Sequence, residues 1–170
     1  VISAGPDTEA MTALLAAAIG QLPGKPRYLA LGAGVPRLGG DVDLERVEMG
    51  LDYAVEEPEA FMEAVDLLQP RWMVAGPCSG RSLLALLAIS ATAQLPLLAT
   101  IRLPDPVRLV DLLGFADRRE NGVLGAQGIV RMLGLTDPLI LWVGDDGTVA
   151  GLFGADVNKD TGDVEIQARD

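Results

Sequence analysis

Residues 71–102 read RWMVAGPCSGRSLLALLAISATAQLPLLATIR, and the way this stretch divides decides the fold. Trp72 to Gly76 form an uninterrupted apolar run, which suits a strand buried on both faces. SLLALLAISATA, 82–93, is too long for such a strand and reads as a helix, while LLATIR, 97–102, is strand-like again. Gln94-Leu95-Pro96 marks the break between them, because proline does not continue a helix. The division matters because Ser82–Ile101 carries no charge over a length that could cross a bilayer. Split at Gln94–Pro96, that span becomes one helix and one buried strand, and no membrane insertion is expected.

At the joint between the first strand and the helix lies Ala75–Ser82, AGPCSGRS. It comes close to a phosphate-binding P-loop, with Arg81 where the pattern wants Lys, and it sits between a strand and a helix as such a loop must. Ser79, Gly80, Arg81 and Ser82 offer hydroxyls, backbone N–H groups and a fixed positive charge at a helix start, with no carboxylate between them. Pro77 withholds one donor. Arg102, at the end of LLATIR, could bring a second guanidinium to the same edge. These five residues are the candidate anion site; the competing reading has Arg81 solvated or paired with a nearby Asp.

Outward from this unit the pattern repeats. Val1–Gly5 reads as a short strand, TEAMTALLAAAIGQL as a helix, and RYLALGA as a strand followed by a glycine-rich turn. LDYAV, 51–55, reads as a strand, and PEAFMEAVDLLQ as a helix with Pro58 in its first turn. DPVRLVDLLG and GAQGIVRMLG read as helices, each closed by its final glycine. The tail, LILWVGDDGTVAGLFGADVNKDTGDVEIQ, reads as strands joined by DDG and DTGD turns. Repeated strand–helix units with an antiparallel end predict an α/β fold: a mostly parallel central sheet with helices on both faces. No repeats or Pro/Ser-rich linkers interrupt residues 1–170, so a single domain is expected.

Composition narrows the function. The hydrophobic fraction is 49% and the charged fraction 22%, ordinary for a globular chain. The formal charge of −11 argues against nucleic acid and anionic membrane surfaces as partners. With no histidine, the commonest general base and zinc ligand are missing, and no metal or cofactor is expected. One cysteine allows no internal disulfide and fits a reducing cytoplasm. Val1-Ile2-Ser3 shows no basic leader, so no signal peptide is expected. Val1 is also not a start methionine, which leaves room for residues before it.

A second loop competes for the phosphate role. Gly5 opens a strand–loop–helix segment in which Thr12 stands where a P-loop has its magnesium-binding hydroxyl. Ala10 stands at the second glycine and Met11 at the lysine, so close backbone approach and the cation are both lost. Asp7 and Glu9 lie at the helix start, where carboxylates stabilise the dipole by about 0.3–1 kcal/mol each. They would oppose an incoming phosphate by about 1–4 kcal/mol per close pair. PDTEAM therefore reads as an ordinary helix cap, with Asp7 or Thr8 as N-cap.

Three weaker constellations remain. Asp156, Asn158, Asp160 and Gly162 resemble the start of a calcium loop, but the glycine is one place late and Gln167 stands where the bidentate Glu belongs; a hairpin turn is expected. Glu56, Glu57 and Glu59 look like a carboxylate cluster, yet beside Pro58 they read as helix-dipole partners. Cys78 has no histidine to activate it and reads as a buried, inert thiol.

These residues together resemble the RecA-like motor domain of the secretion ATPases of type II and type IV secretion and type IV pili, over nearly the whole chain. VISAGPDTEAMTALLAAAIGQLPGKPRYLALGA resembles the family's Walker A strand, loop and helix, and the strand leading to its acidic box. RWMVAGPCSGRSLLALLAISATAQLPLLATIRLPDPVRLVDLL resembles its Walker B strand, following helix and histidine box, and the tail its closing strands. The resemblance implies a RecA-like P-loop NTPase fold whose phosphate loop is Gly5–Thr12, with AGPCSGRS at the Walker B glutamate and the loop after it.

By the same resemblance, Met11 replaces the lysine, Gly32 and Ala33 the acidic box, Gly76 or Pro77 the Walker B Glu, and Gln94 and Arg102 the histidines. Only Gly5 and Thr12 keep the family's residue types. These losses imply a degenerate, catalytically inactive domain, a pseudo-ATPase. It would serve as scaffold or regulatory partner in or beside a secretion or pilus machine, with secretion or pilus components or an active homologous ATPase as partners; its oligomeric state is left open. The alternative is a domain that binds an anion or nucleotide without hydrolysis, in the crevice at the C-terminal ends of its strands. An enzyme of other chemistry lacks a convergent acid, base and nucleophile.

Overall fold

The computed structural model describes residues 1–5, 7–21, 27–37, 45–144, 146–158, 161 and 163–169. Its strands are β1 (Ile2–Gly5), β2 (Arg27–Leu31), β3 (Glu45–Met49), β4 (Trp72–Cys78), β5 (Leu97–Arg102), β6 (Leu139–Val143), β7 (Val149–Val157) and β8 (Val164–Ala168). The helices are α1 (Thr8–Gly20), α2 (Tyr53–Glu56), α3 (Pro58–Leu68), α4 (Gly80–Ala93), α5 (Leu109–Arg119) and α6 (Gly125–Thr136), with a 3-10 turn at Pro106–Arg108.

The strands form one eight-stranded sheet in the order β3-β2-β4-β5-β1-β6-β7-β8. Pairing is parallel from β3 through β6 and antiparallel across β6-β7-β8. This is the α/β sheet expected, antiparallel end included. The central strands are buried along their length, β1 at all four residues, which is why their sequences are apolar without alternation.

Helices cover both faces, but unequally. On one face, among the described residues, α1 is the one helix: Leu15 and Ile19, one helical turn apart, meet Tyr28, Ala30, Val74 and Leu98 of the sheet. On the other face α2 to α6 enclose the main core, with Leu83, Leu86 and Leu87 of α4 at its centre beside Phe61, Leu109, Leu113 and Leu133. Each such side chain removed from water contributes about 1.5–3 kcal/mol, so α4 is the anchor of that layer. The apolar stretch 82–101 divides as expected: α4 ends at Ala93, Gln94 turns left-handed (φ 50°), and β5 begins at Leu97. Among the described residues no helix is long and apolar enough to cross a membrane.

Three elements differ from the sequence reading. LDYAV is not a strand: its last residues open the short helix α2, with Ala54 fully buried and Tyr53 edge-on to Phe61 at 6.2 Å between ring centroids. The strand lies just before it, at Glu45–Met49, on the sheet edge where one face stays wet and charged residues are tolerated. Gly114 and Gly134 do not close helices. α5 runs on to Arg119 and α6 to Thr136, followed by left-handed Asp137 (φ 38°). The turn between α5 and α6 is held by Asp117, a buried carboxylate that accepts the Leu124 and Gly125 N–H groups at 3.0 and 2.9 Å. α5 itself stops before a left-handed Asn121 (φ 71°), where the Gly122 N–H donates to the Asp117 carbonyl at 2.8 Å.

Candidate functional site

β1 ends at Gly5 and α1 begins at Thr8, so only two residues join them. Gly5 is required by packing, since a Cβ there would stand 2.5 Å from the Val143 carbonyl oxygen on β6. Asp7 is the N-cap, in extended backbone conformation, and its Oδ1 accepts the Glu9 N–H at 2.8 Å. The Met11 N–H donates to the Asp7 carbonyl at 3.2 Å, as in any helix. Met11 itself is fully buried, its side chain in the core. The Thr12 hydroxyl donates back to the Thr8 carbonyl at 2.8 Å. Ala10 lies under the β6–β7 turn, where a Cβ on Gly147 would touch Ala10 Cβ at 3.5 Å. Gly5, Asp7, Glu9, Ala10, Met11 and Thr12 thus assemble into a capped helix start, with Asp7 supplying the negative group that an N-terminus attracts.

At the second helix start, Ser79 is the N-cap of α4. Its Oγ accepts the Ser82 N–H at 3.1 Å and lies 2.9 Å from Ser82 Oγ. Gly80 is pressed against Leu112, where a Cβ would come within 2.9 Å of Cγ. Arg81 forms a salt bridge through Nε to Glu120 Oε1 at 2.7 Å, so its partner is a glutamate of the α5–α6 turn. Arg102 pairs in register with Gly5 at the end of β5. Leu97, Ala99 and Ile101 face the α4 layer and Leu98 faces α1, so alternation carries Arg102 to the α1 side. The two guanidiniums leave the sheet edge on opposite faces. Cys78, at the end of β4, is buried, and burial pushes its thiol up to about 12. Such a thiol carries almost no thiolate at neutral pH.

For the alternative reading, sequence reasoning pointed to a crevice at the C-terminal ends of the strands but named none of the residues that line one there. Between α1 and the C-terminal ends of β2, β3 and β4 lies an open crevice of about 860 Å³. Its apolar lining comes from Ala30, Val35, Met49 and Pro77, and the start of α1 supplies Thr8 and Thr12. Arg37 Nη2 and Arg46 Nε converge on one oxygen, Glu48 Oε1, at 2.6 and 3.0 Å. Arg46 also donates to the Pro36 and Val35 carbonyls at 2.8 and 3.2 Å, fixing the wall. The hydrogen bond from Arg37, with help from Arg46, holds the Glu48 carboxyl below the usual carboxylate range. The only local signal was the spacing of Arg46 and Glu48, two residues apart, which puts both on one face if the segment is a strand.

The remaining candidates are structural in geometry. Glu59 sits in the first turn of α3 behind Pro58, and Glu57 occupies its N-cap position without a side-chain cap. Around DVNKDTGD, β7 and β8 pair as a hairpin, with the Asn158 N–H donating to the Asp163 carbonyl at 2.8 Å; Asp160 and Gly162 lie outside the described residues. Among the described residues no group of three His, Cys, Asp or Glu side chains could hold a metal ion.

No protein-family model matches the chain, and no curated protein matches it. Solved structures do. The VirB11 ATPase of the Brucella suis type IV secretion system, crystallised in complex with sulphate, superposes with a TM-score of 0.69 at 14% identity, covering 99% of this chain and 49% of that one. The Legionella pneumophila ATPase DotB superposes with a TM-score of 0.52 at 15% identity, covering 98% of this chain and 43% of that one. The chain therefore spans about half the length of the solved structures it matches. What the likeness shows is the fold: residues 1–170 have the α/β architecture of a secretion-ATPase domain, as the sequence resemblance implied.

Proposed function

We propose that this domain is a non-hydrolysing member of the secretion-ATPase fold, a pseudo-ATPase that acts as scaffold or regulatory partner beside a secretion or pilus machine. One observation carries the reading. At the start of α1, where the resembled fold seats phosphates, the Asp7 carboxylate holds the Glu9 N–H. A phosphate would have to displace that carboxylate and meet Glu9 as well, at a repulsion of about 1–4 kcal/mol per close pair. The two-residue connection and the buried Met11 add to this, because the connection is too short to wrap a triphosphate and Met11 offers it no cation where the family has its lysine. These residues do not fit magnesium–ATP, and no catalytic step is assigned.

Calorimetry on Met11→Lys tests the reading. The single lysine is expected not to create nucleotide affinity, since Asp7 still caps the helix. Micromolar ATP binding by that variant would show that only the missing cation kept nucleotide out.

A second reading, a domain that binds a ligand without hydrolysing nucleotide, is favoured by the crevice at the C-terminal ends of β2, β3 and β4. Open α/β sheets place ligands at that edge.

A further inference from the structure

We infer that the crevice between α1 and the ends of β2, β3 and β4 binds a small organic monocarboxylate with an apolar body, its anion held by Arg37. The inference deepens the second reading above and rests on it.

The volume of about 860 Å³ lies within the range of small-molecule sites. Its lining is divided as an amphipathic anion requires: Ala30, Val35, Met49 and Pro77 are apolar, Arg37 and Arg46 are cationic, and Thr8 and Thr12 are hydroxylic. Glycine allows one wall to pack closely. A Cβ on Gly34 would overlap the Pro77 ring and the Gly76 carbonyl, so only glycine lets the Gly32–Arg37 segment lie against the end of β4.

The two arginines have different roles. Arg46 is fixed, its side chain 18% exposed, with its donors on Glu48 and two carbonyls. Among the described residues Arg37 makes one side-chain contact, through Nη2, and its side chain is 77% exposed, so within that set most of its N–H donors are uncommitted at the mouth. Glu48 Oε1 already shows what this pair accepts: a carboxylate oxygen. A planar carboxylate matches the free fork of Arg37, whether it shares the guanidinium with Glu48 or replaces it.

Charge sets the class. Glu48 is the carboxylate on the crevice wall, and the chain carries −11 overall. A polyphosphate would bring several charges against them, whereas a monocarboxylate brings one and gains apolar burial as well.

The test is an amide-resolved NMR titration of the full chain with sodium benzoate, its neutral isostere benzamide, inorganic phosphate and ATP. Benzoate is expected to shift Gly32, Gly34, Gly50 and Thr12 saturably, with benzamide at least about tenfold weaker, since a hydrogen bond to a charged group is lost. Arg37→Gln, at a largely exposed position, should weaken benzoate about tenfold, while Arg108→Gln, an exposed arginine elsewhere, should leave it unchanged. The inference is overturned if those amides do not respond, if benzamide binds as well, if Arg108→Gln costs as much as Arg37→Gln, or if phosphate or ATP competes more strongly than benzoate binds. Failure there leaves the non-hydrolysing reading standing, because magnesium-dependent ATP turnover decides that one.

Discussion

The two helix starts at the centre of the sheet, those of α1 and α4, look alike in sequence and differ in the group that caps them. Both follow parallel strands, and both pass through a glycine. At α1 the cap is a carboxylate, with a second acid two residues on; at α4 it is a hydroxyl, with a paired arginine two residues on. A dipole that attracts anions is thus already answered by charge at the first site and left neutral at the second, where the hydroxyls of Ser79 and Ser82 engage each other. Motif spacing alone does not separate these cases; the cap does. The glycines differ too, since Gly5 faces a backbone carbonyl and Gly80 faces a flexible leucine.

Four measurements probe this contrast. The largest effect concerns Cys78, at the threshold of the second helix start. If Arg81 and the helix N-terminus activated it, alkylation at pH 8 would be fast. Burial is expected to dominate, and a shift from 9.0 to about 12 lowers the thiolate fraction at that pH, and with it the alkylation rate, roughly a thousandfold. For stability, the raised folded-state value favours the folded thiol below pH 9, and that contribution is lost progressively as pH rises from 9 towards 12. Comparing Cys78→Ala with the parent across that range checks it.

Next come the glycines. Gly5→Ala must push β1 away from β6 and is expected to cost about 3 kcal/mol in denaturant unfolding. Gly80→Ala should stay within about 1 kcal/mol, because Leu112 can turn aside and alanine favours the helix. Equal losses would mean that the first unit is no more tightly seated than the second.

The caps come third. Asp7→Ala and Ser79→Ala should each cost about 1 kcal/mol. Asp7→Asn keeps the acceptor and removes the charge, so its smaller cost, a few tenths of a kcal/mol, should shrink further with salt. A salt-independent loss would show that charge at that helix start is immaterial.

The parallel core was readable because buried strands such as WMVA and helices such as SLLALLAISATA differ in length, and because Gln94-Leu95-Pro96 punctuates them. ERVEM was not, since an edge strand needs no continuous apolar run and its charges resemble a loop. LDYAV misled because five apolar-rich residues fit a strand or a helical turn equally well. α5 and α6 end before left-handed Asn121 and Asp137, where glycine is the usual signal, and the turn between them depends on Asp117 reaching backbone groups seven and eight residues on, a contact that no local rule encodes. At the first helix start, chemistry was local: Asp7 as cap could be read from PDTEAM. The crevice was not local, because Arg37 reaches Glu48, and Arg46 reaches the Val35 and Pro36 carbonyls, only when β3 lies beside β2.

Magnesium-dependent ATP turnover by the purified chain bears most directly on the difference between these two helix starts. With Asp7 seated on the Glu9 N–H and Met11 in the core, phosphate release is expected to stay at the level of a protein-free control and to be unchanged in Thr12→Ala. Turnover above that control, abolished by Thr12→Ala, would contradict the reading and make Gly5–Thr12 a working phosphate loop.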